Sequence, residues 1–145
     1  MMRNEVNMNF VSVKGGKTVQ REIAEQVVGF MISELLPKFR TLEIEVNIKK
    51  KLDGDAVGYC MMGDNNREFE IEIQDGQTLK DFVTTVCHEM VHVKQYARKE
   101  MTDDQMVWKK SPVPKKTCYY DLPWEKEAYR LQDGLAQKVW DADIL

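Results

Sequence analysis

The stretch that decides how this chain is read is Thr78 to Glu100, TLKDFVTTVCHEMVHVKQYARKE. Its apolar residues Leu79, Phe82, Val83, Val86, Met90 and Val93 recur near helical spacing, which predicts a helix from about Leu79 to Glu100 with one buried stripe. Asp75-Gly76 breaks the chain ahead of it, and Thr78 with Asp81 three residues on supplies a helix N-cap. Within this helix His88 and His92 stand four residues apart, so both imidazoles project from one face, a turn apart. The same face carries Asp81, Thr85, Gln95 and Lys99, a polar set suited to lining a cleft. Thr85 and Gln95 are the candidates to orient the imidazoles.

That spacing carries a chemistry. Two imidazole nitrogens a turn apart can reach one zinc ion at about 2.0–2.1 Å. Glu89 is rotated from them by one residue, so its carboxylate can reach a metal-bound water without ligating the metal. Zinc lowers the pKa of such a water, and Glu89 can take its proton and later deliver it to a leaving amine. The chain owns only two histidines, and both sit in this motif, which argues against coincidence. One protein ligand is still needed, and with no third histidine it must be a carboxylate or a thiolate. Pro123 to Tyr129, PWEKEAY, offers Glu125 and Glu127, which flank the apolar stripe of the last helix at similar angles. Cys118 is the thiolate alternative.

Outward from the motif, the pattern predicts an α+β plan. Val6 to Val13 reads as a short strand, and Gly15-Gly16 breaks the chain after it. Thr18 to about Lys38 reads as a helix with Val19, Ile23, Val27, Phe30, Met31, Ile32, Leu35 and Leu36 apolar, ending at Pro37. Leu42 to Ile48 and Glu68 to Gln74 alternate as strands, while Ala56 to Met62 is an apolar run that predicts a buried strand. After the motif helix comes a loop of roughly 20 residues holding Pro112 and Pro114. The last helix opens with Asp121 as N-cap and Pro123 in its first turn, and turns Trp124, Ala128, Leu131, Leu135 and Val139 inward. The expectation is a small antiparallel or mixed sheet packed against three helices, with the motif helix central.

Composition narrows the function classes. At 145 residues the whole chain, 1–145, is a single domain's worth with enough length for a hydrophobic core. No apolar run approaches the roughly 18 residues a membrane span needs. The N-terminal stretch lacks an apolar h-region and a small-residue cleavage site, so the expected compartment is the cytoplasm. Cys60, Cys87 and Cys118 are scattered, which reads as reduced thiols and leaves no four-cysteine zinc ribbon. A net charge of -3 gives no pull towards nucleic acid, and Lys109 to Lys116, KKSPVPKK, reads as a solvated loop.

HEMVH at His88–His92, with Glu125-Lys126-Glu127-Ala128 on a following helix, resembles the gluzincin metallopeptidases, in particular their compact minigluzincin form. HEMVHVKQYARKE together with PWEKEAY is also similar to small predicted metallopeptidases common in phages and prophages. The resemblance implies a zincin-like domain with one zinc ion on His88, His92 and Glu125, and Glu89 as general base. It carries the ligand role onto Glu125 through the pattern E-x-x-A; Tyr129 stands where Asp or Asn is usual. It further implies a polypeptide substrate, paired antiparallel with the strand before the motif helix, here Glu68 to Gln74. An oxyanion donor is also required, and Tyr119, Tyr120 and Tyr129 lie near the third-ligand segment. The competing expectation is a zinc-binding interaction module without turnover, possible for a phage-encoded chain. The intact Glu89 argues against it, because a structural site needs no base. A DNA-associated protease is disfavoured by the acidic balance and the missing ribbon.

Overall fold

The computed structural model describes residues 9–102 and 106–145. Its elements run β1 (Phe10–Gly15), α1 (Thr18–Leu35), β2 (Glu43–Lys49), β3 (Gly58–Met62), β4 (Glu68–Gln74), α2 (Leu79–Ala97), the short strands β5 (Val107–Trp108) and β6 (Ser111–Pro112), and α3 (Pro123–Ala142). A 3-10 turn, Tyr119–Asp121, leads into α3. The fold is therefore α+β. Residues 6–8 of the strand expected over Val6 to Val13 lie outside the described residues.

The main sheet is mixed, in the order β1-β2-β4-β3. β1 pairs parallel with β2, β2 parallel with β4, and β3 antiparallel with β4. Alternation decides which face is covered. Ile44, Val46 and Ile48 of β2 and Phe69, Ile71 and Ile73 of β4 are buried under the helices. The opposite face carries Glu43, Glu45 and Asn47 in direct register with Glu68, Glu70 and Glu72. Glutamates opposite one another repel. Lys14 at 2.8 Å from Glu45, Asn47 donating to Glu70 over 2.6 Å, and the Lys49–Glu72 pair offset part of that repulsion.

Gly15 lets the chain leave β1. Its φ is +82°, and a Cβ there would stand 2.2 Å from the Ile48 carbonyl oxygen. Any other residue would force β1 and β2 apart at that end. α1 then packs on the inner face through Ala24, Val27, Val28, Met31 and Ile32, while Val19 stays exposed in its first turn. α2 is capped as expected, with the Thr78 hydroxyl accepting from the Asp81 N–H over 3.1 Å. Its buried stripe holds except for Leu79, which is 48% exposed in the first turn. α3 lies on α2, with Trp124, Ala128, Leu135 and Val139 buried and Leu131 half-buried.

Three expectations are corrected. Asp121 does not cap α3; it closes the 3-10 turn, and Leu122 takes the cap position without a side-chain bond. Ala56 to Met62 is not a buried strand: it shortens to Gly58–Met62 and lies at the sheet edge with alternate residues exposed. Glu68 to Gln74 is not a free edge, because β2 and β3 pair with both of its sides. The edge beside α2 belongs to β3. The long loop folds back as the β5–β6 hairpin, with Lys109 and Lys110 exposed at its turn, so KKSPVPKK is solvated as read.

The core predicts its own weak point. Ile71 is fully buried at the centre of β4. Ile71→Ala is expected to cost about 2–5 kcal/mol of stability. Urea unfolding followed by circular dichroism measures it, and a loss under about 0.5 kcal/mol would contradict this packing.

Candidate metal centre

α2 and α3 build the site between them. His88 and His92 lie on one face of α2, both buried, with ring centroids 5.0 Å apart. α3 delivers a carboxylate to them. Glu125 Oε1 lies 3.1 Å from His88 Nε2 and 3.2 Å from His92 Nε2. The three side chains offer ligand atoms that all lie within 4.8 Å of one another. Two imidazoles and a carboxylate, buried and converging, could hold a metal ion.

The sequence left the choice between Glu125 and Glu127 open on its residues alone. In the structure Glu125 joins the histidines. Glu127 turns the other way, accepting from Lys94 Nζ over 2.9 Å and from Gln95 Nε2 over 3.0 Å. Lys94 also pairs with Glu100 at 2.9 Å, so Glu127 belongs to an ion-pair cluster and not to the ligand group. Cys118 is exposed and outside the group. The first turn of α3 fixes this arrangement. Pro123 starts the helix without an orphaned N–H. Trp124 is buried and lies 6.5 Å from the Trp108 ring of the hairpin.

Each imidazole is held from behind. His92 Nδ1 lies 2.8 Å from Gln95 Oε1, as anticipated. His88 Nδ1 lies 2.8 Å from Gln132 Oε1, which the sequence reading missed. Thr85 does not orient a ring; its hydroxyl donates to Gln77 Oε1 over 2.9 Å. Gln132 follows Glu125 by seven residues, so both share one face of α3, a spacing that could have pointed to it. Tyr129 lies on that face too, edge-on to the His88 ring with centroids 4.6 Å apart.

Glu89 is buried in the same cleft, of about 710 Å³, but stands outside the converging group. Gly58 of β3 makes room for it: a Cβ there would come within 2.7 Å of Glu89 Oε2. Burial pushes the Glu89 carboxyl above its usual range, and the His92 and His88 charges only partly offset that. For Glu125 burial also opposes ionisation, yet hydrogen bonds from His88 and His92 win and hold it down at about 2. Burial disfavours a His92 cation, but its bond to Glu125 and the charges of Glu89 and Glu125 raise it to about 9.

These shifts predict how the chelator-treated protein responds to pH. A His92 raised from 6.5 to about 9 contributes stability that is fully present below 6.5 and lost as pH rises through 9. A Glu125 lowered from 4.5 to about 2 contributes stability present above 4.5 and lost as pH falls through 2. The stability difference between wild type and Glu125→Gln should therefore peak between 4.5 and 6.5. In the same variant the His92 titration seen by NMR should move down, whereas Glu127→Gln should leave it near 9. A His92 titration unmoved in Glu125→Gln would contradict the pairing.

Comparison with protein-family models, with curated proteins and with solved structures finds no match, so a functional reading stands on this geometry and on the motif.

Proposed function

We propose that this chain is a zinc-dependent peptide-bond hydrolase of the gluzincin type, with His88, His92 and Glu125 as the metal ligands and Glu89 as general base. The observation that carries the reading is the separation of two carboxylates in one cleft. Glu125 meets both imidazoles, and Glu89 stands buried beside them without joining the group. Iron(II) also accepts two histidines and a carboxylate. The buried base favours hydrolysis, because metal holding alone gives Glu89 nothing to do.

A zinc ion held by His88, His92 and Glu125 would supply Lewis acidity, making a water nucleophile available near neutral pH. Glu89 takes the proton of that water on its carboxylate and passes it to the departing amine nitrogen. Its raised proton affinity suits both halves of that transfer. Tyr119, half-exposed, lines the same cleft, and its phenol is the candidate O–H donor to the developing oxyanion once it gives up its bond to Tyr129.

The edge of β3 supports a polypeptide substrate. Gln74 N–H donates to the Val57 carbonyl over 2.9 Å and Gly63 N–H to the Glu68 carbonyl over 2.7 Å. In the antiparallel register between them, residues 57, 59, 61 and 63 face β4. Gly58, Cys60 and Met62 therefore turn their backbone N–H and C=O groups outward, and Gly58 and Cys60 line the cleft. An extended peptide can add to that row irrespective of its side chains.

Two variants test the reading. Glu89→Gln is expected to keep its zinc, measured by elemental analysis, and to lose peptide hydrolysis by at least about 100-fold. Normal turnover in that variant would sink the mechanism. Full zinc with no cleavage of a broad peptide library by wild type would point to the non-catalytic module. Tyr119→Phe is expected to lower kcat by about 10²-fold with KM and zinc content little changed. An unchanged kcat removes Tyr119 from the reaction.

A further inference from the structure

Both imidazoles of the metal centre lean on neutral groups. His88 Nδ1 meets the Gln132 side-chain oxygen and His92 Nδ1 the Gln95 side-chain oxygen, each at 2.8 Å. Neither meets a carboxylate on that side. We propose that Gln95 and Gln132 are positioning residues whose carboxamide oxygens fix both imidazole ligands while adding no charge, and that this neutrality limits how tightly the site holds its metal. The inference rests on the metal-site reading above.

Gln95 shows how the position is set. It is fully buried, and its Nε2 donates to the Trp124 carbonyl over 2.9 Å and to Glu127 Oε1 over 3.0 Å. Both of its N–H groups are committed, so only its oxygen is left for His92. Nδ1 must then carry a proton, and Nε2 is the nitrogen turned towards the ligand group. The Trp124 carbonyl belongs to the peptide unit that continues into Glu125. Gln95 thus ties a ligand of α2 to the backbone that carries the ligand of α3. Gln132 ties the helices in the reverse sense, from α3 to a ligand of α2. The pair cross-links the helices on both sides of the site.

The charge count gives the neutrality a purpose. Glu125 already brings a carboxylate to the ligand group, and Glu89 adds a second carboxyl to the cleft, so the site needs no further acid behind the rings. A carboxylate behind either imidazole would draw on the Nδ1 proton and make Nε2 a stronger donor to the metal. It would tighten binding and blunt the Lewis acidity that activation of water needs. A carboxamide aligns the ring without that transfer.

Gln132 is the testable member, because it is half-buried at the cleft wall and its replacement spares the core. Zinc(II) and cobalt(II) affinities are to be measured by competition with a chromophoric chelator, for wild type, Gln132→Glu and Gln132→Leu. The inference expects Gln132→Glu to bind both ions about tenfold more tightly and Gln132→Leu at least about tenfold more weakly. NMR of the zinc-loaded protein should show the His88 Nδ1 proton protected from exchange in wild type and Gln132→Glu, and exposed in Gln132→Leu. A packing role alone would weaken binding in both variants, and that result, or no change in either, overturns the proposal. Wild-type protein that takes up neither ion overturns the metal reading itself. The predicted order of affinities without any peptide cleavage would sink the hydrolase reading and leave this one standing.

Discussion

The contact on which the site depends is one carboxylate oxygen of α3 lying between two imidazoles of α2. All three side chains are buried at a helix–helix crossing, where an unpaired ionisable group is costly. Each is therefore matched. Glu125 faces both histidines, and each histidine is backed by a glutamine. The requirement spreads outward, because the glutamine that backs His92 needs its own acceptors, and Glu127 needs Lys94. α2 and α3 are held by apolar packing through Met90, Ala128, Leu135 and Val139, but their register is set by this polar chain.

The sheet has a different part in the site. Its inner face carries the core, and its order leaves β3 at the edge beside α2. Gly58 makes that closeness possible, since any side chain would collide with Glu89. The same glycine lies among the outward-facing backbone groups of the edge. A buried carboxylate and the outward-facing edge of the sheet thus meet at one residue.

Much of this was legible in the residues. HEMVH placed His88, Glu89 and His92 because helical periodicity alone puts two of them on one face. Strand Glu68 to Gln74 was readable to the residue, since its alternation is strict. What alternation could not reveal was its neighbours. Pairing order is a long-range property, and a half-buried strand looks the same inside a sheet as at its edge. The edge role of Glu68 to Gln74 came from the resemblance, and nothing in the alternation could show that β3 takes that place instead. The choice of Glu125 over Glu127 was closed to the apolar stripe, because both flank it. The resemblance pointed to Glu125, and the deciding partners, Lys94 and Gln95, are three-dimensional neighbours. Gln132 was not legible because only the packing of α3 on α2 brings its carboxamide to the His88 ring, 44 residues away in the chain.

The two carboxylates of the cleft show how one fold assigns opposite roles to the same functional group. Both are buried, and burial alone would drive each towards its neutral form. Glu125 escapes because two imidazoles donate to it, and its proton affinity falls far below the ordinary value. Glu89 lies close enough to feel those imidazoles but accepts no bond from them, so burial prevails and its proton affinity rises. A carboxylate that refuses protons is suited to hold a cation, and one that takes them readily is suited to ferry them. The difference comes from position alone. Glu89 leaves α2 one residue out of phase with the histidines and turns towards the bare backbone of Gly58, whereas Glu125 arrives from the opposite helix aimed between the rings.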